Sequence, residues 1–189
     1  MTLDHLDKRL IELLTRDGRL TLTEIGRILG ISHVAAGKRL RSLINRGIIK
    51  VGAQLNLKKM GIKIAVIMAE VESNRKMLEI AERFSKCPRM LLLCSTTGRY
   101  NLLGLMIAEN MDTLESVVNT CAFRTYEGIR KSEVHVTDMI FHPEFFPLMV
   151  ISEKKEKTPP CGADCGNCER YKNNKCLACP LTVFYKGPI

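Results

Sequence analysis

The chain has 189 residues, 46% apolar and 26% charged, which is enough for two compact units and excludes a disordered or fibrous chain. No apolar run reaches the roughly 18 residues of a membrane span, and Met1-Thr2-Leu3-Asp4-His5 lacks a basic stretch leading into an apolar one, so a cytoplasmic protein is expected. The net charge of +9 is concentrated at the front: residues 1–61 carry 12 Lys and Arg against five Asp and Glu, residues 62–151 carry ten against 11, and residues 152–189 seven against four. A basic head suits a polyanionic partner.

Leu3, Leu6, Leu10, Leu13 and Leu14 line one face of a first helix, which the Asp17-Gly18 turn ends. Thr21 with Glu24 three residues on predicts a capping box for a second helix over 22–29. Ser32 then caps a third, in which Ala36, Leu40, Leu43 and Ile44 are expected inward and His33, Gly37, Lys38 and Arg41 outward. Two short helices joined by Gly30-Ile31-Ser32 form a helix-turn-helix, whose second member reads the major groove of duplex DNA from its N-terminal end. Residues 48–55 carry β-branched side chains in partial alternation and are expected to form a wing, with Lys50 on phosphate. Ser32, His33, Gly37, Lys38, Arg39, Arg41 and Lys50 are the candidate DNA-binding residues, Arg39 as a second-rank one that can pack across the helix.

The stretches Leu3-Asp4-x-x-Asp7-x-x-Leu10, Gly18-Arg19-Leu20-Thr21, Glu24-Ile25-Gly26, Leu29-Gly30-Ile31-Ser32, Arg39-Leu40-x-x-Leu43 and Gly47-Ile48-Ile49 resemble the opening of Lrp/AsnC transcription regulators. The resemblance implies a winged helix-turn-helix DNA-binding domain followed by a ligand-sensing domain called RAM.

Downstream, an apolar strand over 62–71, a helix with Met77, Leu78, Ala81 and Phe84 inward, a hairpin of 90–94 with 102–108, a helix over 112–123 burying Leu114, Val117, Val118 and Cys121, and a strand over 134–141 follow in turn. This β-α-β-β-α-β order predicts a ferredoxin-like α+β fold. Ile62, Ile64, Val66 and Met68 alternate with Ala65, Ile67, Ala69 and Val71, so both sheet faces are apolar while two helices cover one. The other face, on which Ile67 is expected, calls for a second copy in a homodimer. In the family such dimers often assemble further. Thr97, Gly98, Arg99, Tyr100 and Asn101 resemble the family's Gly-x-Tyr-Asp stretch beside an amino-acid effector pocket, with Asn101 in place of Asp. An amide attracts an α-ammonium group less than a carboxylate does. A Gly-enabled turn with a packed Tyr explains the same residues without a ligand.

Residues 152–160 are charged, end in Pro159-Pro160 and read as a linker. Five of the eight cysteines then fall within nineteen residues, as Cys161-x3-Cys165-x2-Cys168 and Cys176-x2-Cys179-Pro180. Without an export signal such a cluster points to metal rather than disulfides, and 29 residues with few apolar side chains commonly depend on metal to fold. Gly162 and Gly166 permit tight turns. Two Cys-x-x-Cys pairs can close a tetrahedral zinc site, though seven residues between them is short. Five thiols, the x3-x2 spacing and the closing Cys-Pro favour a 4Fe-4S cluster on Cys161, Cys165, Cys168, Cys176 and Cys179, with one spare. Cys94 and Cys121 read as core, Cys87 as a loop thiol beside Pro88, and His135 and His142 as structural rather than as extra ligands.

The sequence thus predicts four segments: 1–61 for DNA, 62–151 for sensing and dimerisation, a linker over 152–160 and the Cys-rich 161–189. The expected function is a transcriptional regulator whose DNA binding responds to the Cys-ligated centre. A thiol-disulfide switch and a purely structural metal are the alternatives. The Cys spacing also occurs in radical S-adenosylmethionine enzymes, but there it sits in a large barrel. With no phosphate loop or nucleophile motif elsewhere, no enzymatic activity is expected.

Overall fold

Asp4, Thr21 and Ser32 each turn a side-chain oxygen onto the backbone N–H three residues on, at Asp7, Glu24 and Ala35. These caps satisfy amides that a helix start leaves unpaired, and they open α1 (His5–Arg16), α2 (Leu22–Leu29) and α3 (His33–Asn45). The structure, a computed structural model, describes residues 2–119 and 123–189 and divides into two units, Met1–Ala53 and Gln54–Ile189. In the first, Leu10, Ile25, Ala36 and Leu43 are fully buried among Leu3, Leu13, Leu14, Leu40, Ile48 and Ile49. Gly26 lets the chain turn from α2 into α3: a Cβ there would lie 2.7 Å from the Ile31 carbonyl oxygen.

The expected wing is corrected. Among the described residues the first unit has no strand; Ile48 and Ile49 pack into the helical core instead. Leu55–Asn56 (β1) pairs with Phe145–Phe146 (β6) in the second unit.

That unit runs β1, β2 (Lys63–Val71), α4 (Asn74–Phe84), β3 (Met90–Ser95), β4 (Leu102–Ala108), α5 (Met111–Asn119), β5 (Ile129–Val136), β6 and the short α6 (Glu169–Lys172). The sheet order β3-β4-β2-β5, all antiparallel, is the ferredoxin-like arrangement. The last strand starts five residues earlier than 134 and stops at Val136, pairing with β2 from Ala65 to Val71. Its first half, Ile129-Arg130-Lys131-Ser132-Glu133, is a charged edge strand, and such charges protect an edge without advertising a strand in sequence.

One sheet face carries Ala65, Ile67, Ala69 and Val71 onto Ile80 of α4, Leu114 of α5 and the buried Phe84 and Phe123, whose rings meet edge to face at 5.0 Å. Ile67 therefore lies under the helices, not on the outer face, and Leu78, expected inward, is largely exposed. Cys121 lies outside the described residues. On the opposite face Ile62, Ile64 and Ile107 are buried beneath Phe146, Leu148, Leu177, Tyr185 and Ile189. The chain's own C-terminal segment thus covers the part of the sheet expected to await a partner. Val66, Met68, Leu103 and Leu105 share that face by register and stay half-buried.

Candidate nucleic-acid interface and thiol centre

At the start of α3, Ser32, His33 and Val34 are exposed, and Lys38, Arg41 and, beyond the helix, Lys50 are exposed as well. Two other candidates sit differently. Gly37 is buried, with Leu22 where its Cβ would go at 3.2 Å, so α2 packs against α3 there. Arg39 turns back to α1, its Nη1 2.6 Å from Asp4 and 2.7 Å from Asp7. The Asp7 amide and the Arg39 guanidinium hold the Asp4 carboxyl below its ordinary range. Ile44, expected inward, is largely exposed. Val34, 53% exposed beside His33, is a surface residue that sequence reasoning passed over. Its apolar character had no partner in the periodic pattern, and such a side chain suits a thymine methyl.

The 97–101 loop is tied to its own sheet. The Val71 N–H donates to Asn101 Oδ1 at 2.7 Å and Asn101 Nδ2 donates to the Val71 carbonyl at 2.9 Å. An amide satisfies both groups at once, and a carboxylate cannot donate. Tyr100 donates its hydroxyl to Glu133, and Arg99 lies 3.7 Å from Glu70. Gly98 takes a positive φ of 110°, and Thr97 is exposed.

Besides covering the outer face with Leu177, Tyr185 and Ile189, the C-terminal segment meets α4 and α5 through polar contacts. Arg83 of α4 donates to the carbonyls of Pro160 and Cys161 at 3.2 and 2.8 Å. Gly162, at φ 76°, passes so close that a Cβ would stand 2.4 Å from Arg83 Nη2. Arg170 reaches Ser116 Oγ at 2.5 Å and Glu115 at 2.8 Å, and Ser116 Oγ donates to the Lys175 carbonyl at 2.9 Å. Residues 152–160 are drawn in too: the Val183 N–H donates to the Glu156 carbonyl at 2.9 Å. Beneath these contacts Arg89 and Glu109, each side chain 4% exposed, pair at 2.6 Å. Arg89 Nη2 also donates to the Ala178 carbonyl at 2.7 Å, and Tyr185 donates its hydroxyl to Glu109.

Docking gathers Cys161, Cys165, Cys168, Cys176 and Cys179 around one cavity of about 410 Å³, with Cys87 and Arg89 in its wall. Among the described residues no three His, Cys, Asp or Glu side chains converge to hold a single ion. Five cysteines around one space are a donor set that a metal centre could use. Burial pushes the Cys165 and Cys179 thiols up to about 11, opposed by the backbone amides of Cys179 and Leu181. Neither His135 nor His142 lines the cavity; both are exposed.

Residues 3–44 match the AsnC-type helix-turn-helix domain. Over 136 residues the chain is 33% identical to an uncharacterized HTH-type transcriptional regulator of Pyrococcus furiosus, a match spanning 71% of this chain and 90% of that protein. The HTH-type transcriptional regulator LrpA of Pyrococcus abyssi is 29% identical over 117 residues, 61% of this chain and 83% of its own. The fold superimposes on Escherichia coli AsnC with a TM-score of 0.65 at 18% identity, covering 76% of this chain and 97% of AsnC. About a quarter of this chain thus has no counterpart in AsnC.

Proposed function

The chain belongs to the Lrp/AsnC family of DNA-binding transcriptional regulators, and from that premise we propose that its operator affinity is set by a 4Fe-4S cluster held by the C-terminal cysteines. The reading is carried by one observation: all five tail cysteines line a single cavity beside a buried arginine. The rest follows from what each part can do. Ser32, His33, Val34, Lys38 and Arg41 form the exposed edge of α3 that enters the major groove, and Lys50 meets phosphate. Two copies pair through the half-buried strip of Val66, Met68, Leu103 and Leu105, which places two reading helices on two half-sites. When bound, the cluster supplies one-electron redox chemistry. The chain would supply the thiolates, with Arg89 beside them.

Anaerobic purification, metal and sulfide analysis and visible absorption test this reading. It expects a brown protein with iron and sulfide in equal amounts and operator binding that changes when the cluster is oxidised or removed. A colourless protein with one zinc per chain would replace the cluster with zinc on Cys165, Cys168, Cys176 and Cys179.

A further inference from the structure

We propose that Cys87, in the turn between α4 and β3, is a ligand of the same centre as the tail cysteines, so that the sensor domain holds one side of it and the tail the other. This rests on the cysteine centre proposed above and adds a ligand that no spacing pattern contains.

Three observations carry it. Cys87 stands in the wall of the cavity that Cys161, Cys165, Cys168, Cys176 and Cys179 line. Cys87 and Cys161 are both buried, in the same packed cluster. Finally, the turn that carries Cys87 also carries Arg89, which binds the Ala178 carbonyl and so fixes the Cys176–Cys179 turn against the sheet end. Arg89 lines the cavity while its partner Glu109 does not. Its positive charge is therefore the nearer one to a set of thiolates. Arg89 acts as a positioning residue, and Cys87 touches the centre itself.

The arrangement makes the centre a clamp between two parts of the chain. β3 begins three residues after Cys87 and pairs with β4, which carries Leu103 and Leu105 of the outer face. Occupancy of the cavity would then reach the sheet directly, not only through the tail.

The test uses the full chain, reconstituted anaerobically with ferrous iron and sulfide. Wild type, Cys87→Ser, Cys87→Ala and Cys94→Ser are compared by iron and sulfide per chain, visible spectrum and midpoint potential. Cys94 is a thiol outside the cavity, and its variant should match wild type. Cys87→Ala and Cys87→Ser should each lose iron or, where a spare tail thiol takes the vacated place, keep it with a shifted potential and spectrum. Circular dichroism of the metal-free forms controls for folding; if Cys87→Ala is misfolded, Cys87→Ser decides, since it differs from wild type by one atom. Iron content, spectrum and potential equal to wild type in the folded Cys87 variants would overturn the role of Cys87 and leave the tail centre standing. A wild-type chain that takes up neither iron and sulfide nor zinc would overturn the centre itself.

Discussion

Three arginines or lysines of α3 look alike in sequence and have different duties in the fold. Arg39 is engaged by two carboxylates of α1, whereas Lys38 and Arg41 are exposed. Arg41→Ala and Lys38→Ala should each weaken operator binding and, for a phosphate contact, reduce the log–log salt slope by about one. Arg39→Ala should leave that slope unchanged and lower Tm by a few degrees. Filter binding over a salt series and a thermal melt separate the two; a slope lowered by Arg39→Ala would return that residue to the DNA. The helical face was legible because periodicity places residues on a cylinder. Which side a long side chain then leans toward depends on Asp4 and Asp7, a helix away, and periodicity carries no such information. Asn101 is a second case. Read against the family pattern it suggested an altered effector pocket, yet its amide completes the hydrogen bonding of Val71. Asn101→Asp should destabilise the second unit by about 1–3 kcal/mol, since one carbonyl loses its donor and faces a charge. Urea unfolding measures it, and an unchanged midpoint would remove the structural role.

Among the elements, the helices of the first unit were readable because their signals are local: Thr21 with Glu24, Ser32 with Ala35, and apolar spacing between. β5 was misplaced because a strand is defined by its partner, and Arg130 and Lys131 on an edge look like loop. The docking of the tail was invisible for the same reason. Its contacts come from Arg83, Arg89, Glu115 and Ser116, residues that read as ordinary helix-surface or loop positions. Gly162→Ala tests that docking: a Cβ at φ 76° beside Arg83 Nη2 must displace the arginine from two carbonyls. The variant should show faster limited proteolysis within 152–162 than wild type, and equal rates would mean that Arg83 does not hold the segment. The sheet faces allow a paired comparison. Ile67 is fully buried under the helices, so Ile67→Glu should unfold the second unit, an unpaired carboxylate being costly inside. Leu103→Glu on the outer face should leave circular dichroism intact and halve the mass in sedimentation. An unchanged mass would move the pairing surface elsewhere.

At the scale of the whole molecule, the chain joins a DNA-reading unit to a sheet whose end is closed by thiols, and regulation requires that the two communicate. Burial pushes the Cys87 thiol up to about 12 and Cys165 and Cys179 to about 11, so near neutral pH these groups in the metal-free chain are protonated and neutral. Ligands must be thiolates, and loading therefore expels protons: affinity for metal rises with pH, by about tenfold per unit for each proton released. The metal-free fold has the opposite dependence. Because the folded pKa values lie above the ordinary thiol value of 9.0, the stability tied to the neutral thiols is fully present below pH 9 and is lost as pH rises toward 11 and 12. With the proposed centre, the loaded and metal-free chains would differ in charge and in proton content. A centre of this kind regulates only through a difference in operator affinity between the two states, and coupling of about 1–3 kcal/mol corresponds to roughly 5- to 150-fold. Fluorescence anisotropy with one operator at one salt concentration and pH 7.5 should find the loaded and metal-free dimers separated by a factor in that range. By linkage, operator DNA should change the affinity of the dimer for its metal by the same factor. Equal affinities in both measurements would reduce the thiol centre to a staple that closes the fold and tells the DNA-binding unit nothing.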